Sequence, residues 1–219
     1  KAPVSTMTWP LNGIFVNAVS SITGTASASV SGLATVEIKI TTNNATGPWW
    51  NGSSYVFSET WSTTTVTGSS WEFPGTRLDN LSAAFSDHVR YYIYSKVTDN
   101  AGNVETSPTI FGFTYDSSGP DLAVSFPTPP SGSYYSNATG STRRVDLTSG
   151  TVADSGANAS GVSEVWVAIS SGSGVNTMWW CDATATGPGC PVAGAFSKGP
   201  QAAIYWSTSV YKGGASWTY

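Results

Sequence analysis

Charge is what this chain has least of. Only 10% of its 219 residues are Asp, Glu, Lys or Arg, against about 25% in an average globular protein. The nine basic residues are scattered, and Arg143-Arg144 is their one adjacent pair. Neutralising a phosphate backbone needs Lys and Arg gathered on one surface, so nucleic acid is excluded as a partner class. The net charge of −4 comes from dispersed acids, with no acidic tail. Histidine occurs once, as His88 beside Asp87 in a polar loop. A Ser-His-acid triad needs a base placed on a nucleophile, and no G-x-S-x-G elbow is present. His88 is therefore expected to be a plain surface residue and the chain no enzyme. Paired carboxylates of the glycosidase kind meet only in space, but most of the 13 acids sit where turns or solvent-facing strand positions want them.

Long apolar runs are missing too. Nothing approaches the roughly 18 residues that a membrane-spanning helix requires. There is no initiator Met and no signal peptide, and the expectation is an internal or processed piece of a longer protein. Cysteine occurs twice, as Cys181 and Cys190 around the loop DATATGPG. Gly-Pro-Gly lets that loop turn back on itself, so a local Cys181–Cys190 disulfide and an oxidising compartment are expected. A lone histidine and the lack of C-x-x-C speak against zinc. Asp116, Asp121 and Asp154 stand in carboxylate-poor surroundings, which speaks against calcium with its six to eight oxygens. No metal or other cofactor is expected.

What the chain has instead is Ser and Thr, 62 residues together, and 23 Gly. Short apolar runs between such residues read as strands with many turns. No stretch of 10–12 residues carries an apolar period of 3.6, which disfavours a helical or α/β fold.

The chain also repeats itself. SGLATVEIKI (31–40) and SGVSEVWVAI (160–169) share S-G-[LV]-x-x-V-x-[IV]-x-I at an offset of 129, which also sets Trp50 on Trp179. Pro3 and Pro10 correspond to Pro120 and Pro127, and TWSTTTVTGSSWEF (60–73) to YWSTSVYKGGASWTY (205–219). A recurring segment of this length marks an array of small domains. The expected division is 1–116 and 117–219, the second copy lacking the counterpart of 74–115. It carries an insertion at about 180–204, since Trp206 lies 27 positions after Trp179 where Trp61 lies 11 after Trp50.

Within the first copy, Val36, Ile38 and Ile40 alternate with Glu37 and Lys39, the period of a half-buried antiparallel strand. YYIYSKV (91–97) alternates likewise, Tyr91, Ile93, Ser95 and Val97 on one face. It runs into Asp99-Asn100-Ala101-Gly102-Asn103, where Asp and Asn accept backbone hydrogen bonds and Gly102 takes positive φ. Asp99, Asn100, Gly102 and Asn103 are thus assigned to a structural turn, from which TIFGFTY (109–115) returns as a hairpin. LDNLSAAFSDH (78–88) has room for one helical turn.

The run Y-x-I-x-S-x-V-x-D-N-A-G-N, followed by a strand and YDSSGPDLAVSFP, resembles the tandem bacterial immunoglobulin-like repeats of large secreted and surface-attached proteins. The resemblance spans the first copy and about two-thirds of the second. It implies an all-β chain of tandem immunoglobulin-like antiparallel β-sandwiches, the second incomplete. It also implies an extracellular or cell-surface location and a structural or adhesive role in spacing, display or assembly without catalysis. The partners would be neighbouring repeats, other protein subunits or surface glycans. Two alternatives stand beside it: a filament or sheath subunit completed by strand addition, and a carbohydrate-binding module built on the ten Trp. Six of those Trp recur between copies (Trp50/Trp179, Trp61/Trp206, Trp71/Trp217), which favours core anchors. Trp166, on the polar face of its strand, and Trp180, next to the cysteine loop, do not recur and are the candidate contact surface. Five N-x-[ST] sequons (Asn44, Asn51, Asn80, Asn137, Asn158) barely exceed the roughly three that chance supplies in a chain this rich in Ser and Thr.

Overall fold

The computed structural model describes residues 2–126 apart from Ser29 and Ala45, residues 148–171, and the segments 178–181, 195–197, 207–208, 210–211 and 215–218. The described residues are mostly β-strand with one short helix. The chain divides into two compact units: Lys1–Ser118 with Gly156–Ser160, and Gly119–Ser155 with Gly161–Tyr219. Among the described residues no helix is long and apolar enough to cross a membrane.

The strands of the first unit are β1 (Val4–Trp9), β2 (Phe15–Val16), β3 (Thr23–Ser27), β4 (Leu33–Thr41), β5 (Trp49–Trp50) and β6 (Tyr55–Val56). After them come β7 (Ser62–Thr63), β8 (Thr65–Thr67), β9 (Ser70–Glu72), the helix α1 (Gly75–Ser82), β10 (Val89–Asp99) and β11 (Thr109–Tyr115). One sheet has the order β1-β3-β9-β8; the other runs β2-β11-β10-β4-β5-β6, with β7 also on β4. All pairs are antiparallel but β2 with β11.

One core is shared by both sheets. β4 gives it Val36, Ile38 and Ile40, and β10 gives Tyr91, Ile93 and Val97, the apolar faces that a period of two dictates. The other sheet gives Met7, Ala26 and Trp71. Trp71 stands opposite Gly24 in the β3–β9 register. A Cβ at Gly24 would run into the Trp71 ring and the Thr6 carbonyl, so this strand glycine is set by close approach.

The helix begins three residues before the expected stretch. Pro74 has φ −57°, close to the value its ring imposes and suited to a helix start, and its carbonyl accepts Arg77 N–H and Leu78 N–H, both at 3.0 Å. Leu78 and Leu81, three apart on one face, are buried in the core. Phe85 follows among Tyr91, Phe113 and Tyr115, with ring centroids 4.6–5.6 Å away.

In the second unit β12 (Asp121–Phe126), β13 (Ser149–Ala153), β14 (Trp166–Val167), β15 (Ser170–Ser171) and β16 (Met178–Cys181) precede β17 (Ala195–Ser197), β18 (Ser207–Thr208), β19 (Val210–Tyr211) and β20 (Ser216–Thr218). They form a sheet β12-β13-β20-β19, a pair β14-β18 and a sheet β15-β16-β17. Among the described residues Val152, Val165 and Trp217 form a buried core cluster, with Val162 and Val167 against it. The pairing of this unit follows that of the first. β12 meets β13 with a register shift between Val124 and Phe126, as β1 meets β3 with one between Met7 and Trp9. Gly150 stands between Val124 and Trp217, as Gly24 does between Met7 and Trp71. Trp166↔Thr208 and Val167↔Ser207 match Glu37↔Thr63 and Ile38↔Ser62.

Candidate functional site

Four polar assemblies of the first unit are built well enough to be sites. The first is the turn after β10. Asp99 Oδ1 accepts Ala101 N–H at 3.0 Å and Asn103 N–H at 2.8 Å, and Oδ2 accepts Asn103 Nδ2–H at 2.9 Å. Gly102 has φ 84°, where a side chain would be strained. Asn100 Nδ2 donates to Ser31 O at 2.8 Å, tying the turn to the loop ahead of β4. The Asn103 amide, with the backbone donors behind it, holds the Asp99 carboxyl at about 2, below the ordinary carboxylate range. All these bonds are spent on backbone geometry.

The second assembly clasps β1, an edge strand. Antiparallel pairing turns both the N–H and the C=O of alternate residues away from the neighbour, and at Ser5 these groups meet side chains. Ser5 N–H donates to Glu105 Oε1 at 2.9 Å, Ser5 Oγ–H to Glu105 Oε2 at 2.6 Å, and Thr109 Oγ1–H to Ser5 O at 2.7 Å. Val97 N–H also reaches Glu105 Oε2, at 3.3 Å, and Ser5 Oγ lies 3.0 Å from Ser95 Oγ. Ser5, Ser95 and Glu105 are all buried. The sequence pointed to none of this, because Ser5 and Glu105 are 100 residues apart.

The third covers the outer face of β4 and β10. Lys39 stands opposite Tyr94, and Lys96 opposite Glu37. The Lys39 ammonium lies 4.4 Å from the Trp49 ring centroid, 4.6 Å from Tyr94 and 4.8 Å from Trp61. Lys96 lies 4.1 Å from Trp61. Glu59 Oε1 accepts from Lys39 Nζ at 3.0 Å and from Trp61 Nε1 at 2.9 Å, and those two hydrogen bonds lower its pKa. Trp50, Trp71 and Trp217 are buried anchors. Trp61 differs from that expectation: it is only partly buried and serves as a cation-holding ring on the polar face.

The fourth gathers Asp87, His88 and Asp116, whose potential ligand atoms all lie within 4.8 Å of one another. His88 is held at φ 59°, rare for a residue with a side chain though His is among the more tolerant, at the mouth of β10. Its side chain is only 17% exposed, so it is not the open surface residue expected. Nδ1 lies 3.5 Å from Asp87 Oδ2 and Nε2 3.3 Å from Asp116 Oδ1. Asp87 Oδ2 accepts from Ser118 Oγ, and Oδ1 from Ser117 N–H at 2.6 Å and Ser117 Oγ at 3.2 Å. Those bonds, Ser118's first, hold the Asp87 carboxyl down at about 2. Ser160 N–H donates to Asp116 Oδ2 at 2.6 Å, and Asn158 Nδ2–H to His88 O at 2.9 Å. A Cβ on Gly156 would enter the His88 ring.

The remaining sequence candidates belong to the second unit. Trp166 is 37% exposed and sits on β14. Trp180 is paired with Phe196 across β16 and β17, and nothing further of its side chain is described. Cys181 ends β16 and Cys190 lies outside the described residues, and so does the disulfide expected between them. No family model, no curated protein and no solved structure matches the chain.

Proposed function

We propose that the chain is a non-catalytic structural or adhesive module of the cell exterior, made of two immunoglobulin-like β-sandwiches in tandem and used for spacing, display or assembly. The observation that carries this reading is the double construction. The same strand order in the four-stranded sheet, the same edge-strand register shift and the same glycine-under-tryptophan contact occur in both units. Duplicating a scaffold multiplies length and surface without adding a reaction centre. The chemistry of the first unit agrees. Two of its buried carboxylates, Asp99 and Glu105, are occupied with backbone N–H groups, and its outer aromatics Trp49 and Trp61 already hold ammonium groups. The clasp on Ser5 also occupies backbone groups that an incoming strand would need.

Antibodies raised against the purified chain test the reading on the organism that makes it. Staining of intact cells, or recovery of the antigen from the medium, is the expected result. Antigen confined to the lysate, released only on breaking the cells, would overturn it.

A further inference from the structure

We propose that Asp87, His88 and Asp116 form a binding site for one divalent transition-metal ion of the zinc class. The proposal is independent of the structural role above.

Asp116 is the key residue. Its side chain is 3% exposed, yet Oδ1 has no hydrogen-bond partner among the described residues. The other buried carboxylates of this unit, Asp99 and Glu105, collect several donors each. A buried, unsatisfied carboxylate oxygen is costly and asks for a cation. Its ion-pair partner is His88 Nε2, 3.3 Å away, which is itself buried and without a hydrogen bond to any other described group. Zinc binds imidazole nitrogen and carboxylate oxygen at about 2.0–2.2 Å in a tetrahedral arrangement, which sets neighbouring ligand atoms about 3.3–3.5 Å apart. The two atoms of this ion pair therefore already stand at the separation of two ligands on one ion.

Asp87 supplies the third donor. Its carboxylate is 30% exposed and its Oδ2 stands 3.5 Å from His88 Nδ1, so it turns toward the ion on exchanging its Oδ2 bond with Ser118 for the metal. Water fills the fourth position, the open arrangement known for three-ligand zinc sites. The remaining hydrogen bonds have the form that orients metal ligands: Ser117 N–H holds Asp87 Oδ1, and Ser160 N–H holds Asp116 Oδ2. The donor set also selects the class of ion. One imidazole and two carboxylates suit zinc and its first-row neighbours, whereas calcium wants six to eight oxygens.

The test uses the whole chain and zinc chloride. His88 is the only histidine, so its imidazole C–H signals in the proton NMR spectrum report this site alone, even if cysteine thiols elsewhere take up metal. Zinc is expected to shift those signals with one-to-one saturation at micromolar concentration, and cobalt to broaden them. By titration calorimetry, Asp116→Asn and His88→Gln are each expected to weaken binding at least tenfold, the lower end of what even outer-sphere changes cause. Calcium at the same concentration should leave the signals where they are. Zinc that leaves the His88 signals unmoved overturns the proposal, as does equal affinity in folded variants. Calcium displacing zinc at equal concentration would also sink it. A response to pH alone, with none to zinc, assigns the cluster to a protonated histidine between two acids. The NMR arm needs no substitution, so a variant that fails to fold does not blunt the test.

Discussion

Glu105→Ala removes the acceptor from three donors at once: Ser5 N–H, Ser5 Oγ–H and Val97 N–H. Hydrogen bonds to a charged group each contribute about 1.5–3 kcal/mol, and two of these are short, at 2.9 and 2.6 Å. That gives about 3–6 kcal/mol gross. Desolvation of the carboxylate, and water entering the space left by the shortened side chain, offset part of it. The expected net loss is about 3 kcal/mol. Glu105→Gln keeps the shape and one acceptor oxygen but turns an NH2 group toward a donor, so about half that loss is expected. Ser5→Ala, which deletes the Oγ–H bond to Glu105 and the Oγ contact with Ser95 but leaves the carboxylate, should cost about 2 kcal/mol. Urea denaturation of the three variants measures this. With a slope near 2 kcal/mol/M, the Ala variant's midpoint falls by about 1.5 M at unchanged slope. The Glu105→Ala/Ser5→Ala double variant should fall short of the sum of the singles, because the two residues share a bond. A Glu105→Ala midpoint within about 0.3 M of wild type would refute the reasoning and mean that water serves Ser5 as well as the carboxylate does.

Three further outcomes are expected. Gly24→Ala should destabilise the first unit by about 1–3 kcal/mol, the cost of overpacking, whereas Gly119→Ala, where an added Cβ meets nothing, should stay within about 0.5 kcal/mol; equal midpoints for the two would contradict the Trp71 contact. Trp61→Ala strips a ring from both Lys39 and Lys96 and should cost about 1–2 kcal/mol at roughly 0.5–1 per partly exposed cation–ring pair; an unchanged thermal midpoint would show the cluster to be incidental. Asp99 titrates at about 2 in the folded chain, below its ordinary value near 3.9. The stability it contributes is therefore full above about pH 4 and lost as pH falls toward 2. Asp99→Asn should flatten the stability profile in that window, and an unaltered slope between pH 4 and 2 would assign the acid response to other groups.

The strands were legible where period two put apolar groups on one face. Val36, Ile38 and Ile40 are buried as their spacing demands, and so are Tyr91, Ile93, Ser95 and Val97. The recurring Trp50, Trp71 and Trp217 are buried as well, but Trp61 is the partly buried ring against which two lysines lie. Recurrence marks a shared environment and does not say which face of the sheet supplies it. The helix was placed late because LDNLSAAF looks helical on its own, while its start is set by Pro74 and its anchors Leu78 and Leu81 by the core. The clasp on Ser5 and the Asp87–His88–Asp116 cluster were illegible. Each joins residues distant in sequence, 100 apart in one case, and nothing local distinguishes a carboxylate that will be buried from one left in water. A signal did exist for Gly24. Glycine inside TGTAS and again inside SGTVA sits where a strand would normally carry a β-branched residue, and the matching Trp71 and Trp217 were already in view.

The Gly24–Trp71 and Gly150–Trp217 contacts have a consequence for how such a chain diversifies. A larger residue at the glycine collides with ring and backbone, and a smaller one at the tryptophan leaves a hole of indole size, about 3–5 kcal/mol in a packed core. Neither half can change first without a cost comparable to the stability margin of a small domain. Surface loops and outer strand faces are free to drift meanwhile. The pair then acts as a slow-changing mark, so copies of this scaffold whose overall sequence has diverged past detection remain traceable by a strand glycine facing a tryptophan across the ladder.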